Sequence, residues 1–116
     1  MVQIAKLDAL PLEMITSFDS CGVRSAVLGA SAGETHCYYL DFAAGSEIGP
    51  HPTGFQQRFI VLSGSGWVAG ADGERRPVRA GEMAMFRPGE MHAKGSDGGM
   101  RVLMLQLAVE PPGSGE

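Results

Sequence analysis

Apolar residues recur along the chain in short runs separated by glycine, proline, serine and aspartate. Residues 23–28, 35–42, 55–62, 67–69, 83–86 and 100–109 all have this form, and their length and punctuation predict β-strands. Asp72-Gly73 lies between two such runs and is a strong two-residue hairpin signal. Every position of 59–62 and of 83–86 is apolar, which predicts strands covered on both faces, by a second sheet and by either a subunit or the N-terminal segment. A helical period is suggested only over 7–15, where Pro11 interrupts it. Short strands at close spacing with glycine turns predict an all-β sandwich or barrel.

Composition narrows the class. A chain of 116 residues corresponds to a single domain, long enough for one core without staples. With 44% hydrophobic and 19% charged residues, it reads as globular rather than disordered. The net charge of −4 argues against a nucleic-acid surface, which needs clustered basic residues. The only basic cluster, Arg75, Arg76 and Arg79, follows Asp72-Gly73-Glu74 and fits a solvated hairpin tip.

No apolar segment approaches the length of a membrane span, and the first residues lack the order of a signal peptide. Two cysteines, Cys21 and Cys37, are too few for a disulfide framework and are expected as buried, reduced thiols. A cytoplasmic protein is the expectation. The tail 110–116, Glu-Pro-Pro-Gly-Ser-Gly-Glu, has nothing to bury and is expected to be flexible.

The candidate chemistry gathers around two turns. His51 and Gln57 are six residues apart, so on one continuous strand they would lie about 20 Å apart. Pro52-Thr53-Gly54 lies between them and supplies turn chemistry. A chain reversal there would make His51 and Gln57 cross-strand neighbours, with Thr53 near the same mouth. A second Pro-Gly turn, Pro88-Gly89, delivers His92 to a strand end.

At these residues the chain resembles the cupin superfamily, whose motifs are G(X)5HXH(X)3-4E(X)6G and G(X)5PXG(X)2H(X)3N. Gly45, His51, Thr53, Gln57 and Gly64 keep the first spacing, with Thr53 for the second histidine and Gln57 for the glutamate. Gly81, Gly89 and His92 keep the second, with Arg87 at the proline position and Ser96 at the asparagine position. The resemblance implies an all-β cupin double-stranded β-helix, a jelly-roll barrel in a single domain. Its barrel would occupy 23–109, after an N-terminal segment 1–22. It also implies a homodimer, in which residues 2–6 would be a natural strand to lend to the partner.

In that family the motif histidines and glutamate bind iron, manganese, nickel, zinc or copper. Carried over by position, His51, Gln57 and His92 are the metal ligands expected here, for a divalent Fe, Mn, Ni or Zn ion. Two imidazoles and one amide form a neutral site, weaker than two histidines with a carboxylate. Neither Gln57 nor Thr53 is a useful general acid or base near neutral pH. An anionic, chelating small molecule would supply the missing charge.

Thr53, Phe55, Phe59, Tyr38 and Phe86 are the candidate pocket residues. Tyr38 shares a strand face with His36, Leu40 and Phe42, whereas His36 itself is expected at the strand surface. Glu90 is expected as a solvated turn residue. The functional expectation is a metal-dependent dioxygenase or isomerase acting on a small anion. The alternative is a metal-free ligand-binding or regulatory module.

Overall fold

The structure, a computed structural model, describes residues 2–52 and 54–109. Within them the strands are β1 (Gln3–Lys6), β2 (Glu13–Met14), β3 (Arg24–Ser25), β4 (Thr35–Phe42) and β5 (Ser46–His51). They continue as β6 (Gln56–Ala69), β7 (Arg75–Arg79), β8 (Glu82–Phe86), β9 (His92–Ser96) and β10 (Met100–Leu107). All pairings are antiparallel. The all-β jelly-roll expectation is met.

One sheet runs β1-β8-β6-β10-β4, and β5, β9 and β7 assemble on the second half of β6. The 14-residue β6 belongs to both layers. Its first half pairs with β8 and β10, and its second half pairs with β7 and β9. Gly64 stands where the strand changes partners, at φ +77°, and a Cβ there would collide with the Gly99 carbonyl oxygen. The runs 55–62 and 67–69 are thus parts of one bent strand, joined through a glycine that permits the bend.

The core lies between the layers and contains Phe42, Phe59, Val61, Val68, Val78, Ala84, Phe86, Met100, Val102 and Met104. On β10, buried Met100, Val102 and Met104 alternate with more exposed Arg101, Leu103 and Leu105, as a strand with one inward face requires. Full coverage of 59–62 does not hold at its end, because Leu62 is exposed. The Asp72-Gly73 signal forms the β6–β7 turn, in which the Gly73 N–H donates to the Gly70 carbonyl at 3.1 Å.

Residues 7–34 form an extended arm. Within the run 23–28 only Arg24–Ser25 forms a strand, paired with β2. The arm is pinned where Arg58 Nε donates to the Leu28 carbonyl at 2.8 Å. β1 pairs with β8 of the same chain. Contrary to expectation, both cysteines are exposed: Cys21 lies in the arm, and Cys37 on the outward face of β4. No helix among the described residues is long and apolar enough to cross a membrane. Thr53 and the tail 110–116 lie outside the described residues.

Candidate functional site in the barrel interior

β9 carries the centre of the site. Its residues 92, 94 and 96 share one face, which points inward: His92 and Lys94 are each 1% exposed. The Pro88-Gly89 turn that starts this strand has Gly89 at φ +80°.

β5 lies beside β9, with Ile48 opposite Lys94 and His51 opposite His92. Two residues lie between Ile48 and His51 but only one between His92 and Lys94, so the register shifts between them. This one-residue bulge at Gly49-Pro50 returns His51 to the face that Ile48 occupies. The His51 and His92 rings stand 4.5 Å apart.

The expected reversal at residues 52–54 does not pair His51 with Gln57. His51 pairs with His92 in one layer, while Gln57 pairs with Phe86 and Gln106 in the other. Gln57 and the second-motif strand meet across the interior. Lys94 Nζ donates to Gln57 Oε1 at 2.7 Å, and Met104 Sδ lies 3.9 Å from the same ammonium. The Phe86 and Phe59 rings lie 4.9 and 5.4 Å from it.

The electrostatics follow from burial. Desolvation lowers the Lys94 pKa to about 8. His92 is lowered to about 4, first by desolvation and then by the charges of Lys94 and His51, so it is a neutral imidazole at neutral pH. The His51 ring nitrogen Nδ1 lies 2.8 Å from the Gly49 carbonyl oxygen. A carbonyl only accepts, so Nδ1 carries a proton. Both ring nitrogens of His92 are buried without a hydrogen-bond partner among the described residues, which marks a place for a ligand or water.

The other candidates divide by position. Phe59 and Phe86 line the interior around Lys94. Tyr38 and Phe55 flank His36 at the barrel rim, at ring distances of 6.4 and 5.4 Å. His36 is on the inward-facing register with Gln106, Gln57 and Phe86, not on the outer strand surface. Glu90 is half-buried in the β8–β9 turn, with Oε1 facing Gly70. Lys94 was not among the sequence candidates. Its signal is the period of two from His92, which places a long cationic side chain on the inward face of the motif strand.

A divalent metal finds a poor donor set here. The buried polar side chains of the described residues are Gln57, His92, Lys94 and Ser96, with no carboxylate. Gln57 Oε1 already accepts from an ammonium, and that ammonium repels a second cation in a medium of low dielectric. Among the described residues, no group of three or more His, Cys, Asp or Glu side chains could hold a metal ion.

The Cupin domain family model matches residues 38–107. No curated protein matches the chain in sequence. Among solved structures, a conserved protein of unknown function from Streptococcus pyogenes aligns with TM-score 0.63 and 20% identity, over 70% of each chain. A predicted oxalate decarboxylase from Thermotoga maritima aligns with TM-score 0.59 and 22% identity, over 63% of this chain and 65% of that one. Salicylate 1,2-dioxygenase from Pseudoaminobacter salicylatoxidans, in complex with gentisate, aligns with TM-score 0.59 and 18% identity. That match covers 62% of this chain but only 20% of the dioxygenase. At these identities the likeness is one of fold.

Proposed function

The chain belongs to the cupin family, and within it we propose a metal-independent binding site for a small organic anion, with Lys94 as its cationic anchor. The observation that carries this reading is the buried Lys94 ammonium, held at 2.7 Å by a neutral amide oxygen. No carboxylate of the described residues forms an ion pair with it. A lysine carries three N–H donors, and Gln57 accepts one. A carboxylate or enolate entering the interior supplies the missing negative charge and the missing acceptor together.

The His92 imidazole completes the recognition. Neutral His92 offers one N–H donor and one acceptor. A hydroxyl or enol beside the ligand's anionic group therefore has a place to donate. The structural neighbours named for oxalate and for salicylate with gentisate concern carboxylates, which accords with an anionic ligand.

The metal-dependent alternative has one observation in its favour, the His51–His92 ring pair with unpartnered His92 nitrogens. The experiment that separates the readings is metal retention. Protein incubated anaerobically with Fe(II), Mn(II), Ni(II) or Zn(II) and then desalted is expected to keep far less than one equivalent by elemental analysis. Stoichiometric retention that disappears in His51→Ala and His92→Ala would instead establish the metal centre.

A further inference from the structure

The inward face of the larger sheet runs from Gln57 and Met104, which the Lys94 ammonium contacts across the interior, to an aromatic rim. His36, Gln106, Gln57 and Phe86 form one cross-strand row, and Tyr38, Met104, Phe59 and Ala84 form the next. Gln57, Phe86, Met104, Phe59 and Ala84 in these rows are buried, so both rows face the interior. Further along the same face of β4, Phe42 is buried, yet Tyr38 remains 43% exposed.

The rim therefore presents uncovered aromatic surface at an inward position. Its rings are grouped: His36 lies nearly parallel to Tyr38, at 20°, and Phe55 meets His36 edge-on, at 84°.

From this continuity we infer that the His36–Tyr38–Phe55 rim selects a flat aryl carboxylate as the ligand of the Lys94 site. The inference rests on the anion-site reading above and adds the shape of the ligand. Tyr38 sits opposite Met104 on the adjacent strand, about 5 Å away, and the Met104 sulfur lies 3.9 Å from Lys94 Nζ. An arene lying across Tyr38 and Met104 gains ring–ring and sulfur–ring contact. A carboxylate attached directly to that ring then points at the ammonium. Two residues along β9 lies His92, a buried imidazole whose nitrogens have no hydrogen-bond partner among the described residues. An aliphatic carboxylate would satisfy Lys94 but leave the rim uncovered.

The test uses chelator-treated protein and three probes: benzoate, the similarly sized but non-planar cyclohexanecarboxylate, and acetate. Calorimetric or chemical-shift titration is expected to show benzoate binding about threefold to tenfold tighter than cyclohexanecarboxylate. Tyr38→Leu, at a half-exposed position, should reduce that preference to within about twofold. Equal affinities in the wild type, or a preference that survives both Tyr38→Leu and His36→Leu, would overturn the inference. Lys94→Met isolates the underlying reading. If acetate needs Lys94 but no arene preference exists, only the rim inference falls. If all three probes bind Lys94→Met as well as wild type, the anion site falls with it.

Discussion

Lys94 sits among groups that cannot neutralise it: an amide, a thioether and two phenyl rings. Its pKa falls from 10.5 to about 8, so the folded state disfavours the charged form by about 3 kcal/mol. The unfolded chain binds the proton more tightly, and stability therefore rises as pH climbs from 8 towards 10.5. At neutral pH the cost is fully present. His92, two residues away, is held down to about 4 and is uncharged throughout that window. Lys94→Met, which keeps the volume and removes the charge, should be more stable than wild type at pH 7 by about 1–3 kcal/mol. The difference should shrink by pH 10 in urea unfolding. A less stable Lys94→Met protein, or a difference independent of pH, would contradict this assignment. A saturating carboxylate should raise wild-type stability and leave Lys94→Met unchanged.

At the level of strands, apolar patterning and motif spacing reveal different things. Residues 35–42 and 83–86 are apolar enough to announce β4 and most of β8. β1, β5, β7 and β9 carry too many polar, glycine or proline residues to do so. β9 reads His-Ala-Lys-Gly-Ser, yet all five residues are buried. Gly95 is there because Trp67 covers it, and a Cβ would stand 2.5 Å from that ring. The two histidines were readable from their place in the motifs, but their pairing was not. It depends on the bulge at Gly49-Pro50 and on β5 joining β9 rather than β6, choices made by long-range register. Lys94 escaped notice because a lysine is almost never fully buried. Here the side chain turns inward because its strand position gives it no other face.

The whole molecule is less compact than its barrel. The radius of gyration is 15.6 Å, against about 13 Å for a compact domain of this length. In the arm, Phe18 is 97% exposed and Val27 is also uncovered. Tyr39 and Leu62 leave further apolar surface on the outer face of β4 and β6. We propose that a second copy covers these surfaces, giving the homodimer expected from the sequence. Light scattering after size exclusion should report a dimer for wild type and a shift to monomer for Phe18→Asp combined with Tyr39→Asp. A monomeric wild type at micromolar concentration would contradict it. Dimerisation would leave Gln57, His92 and Lys94 as described, since all three are buried within one chain.

On the proposed reading the Lys94 ammonium takes the place of a metal in this barrel, with a direct consequence for binding. Chelator-treated wild type and Lys94→Met protein, titrated with benzoate before and after reloading with Fe(II), Mn(II), Ni(II) or Zn(II), distinguish the two kinds of site. The anion reading predicts saturable binding to metal-free wild type, unchanged by any of the metals, and a loss of at least about tenfold in Lys94→Met. Binding that appears only after metal is added, and persists in Lys94→Met, would contradict it.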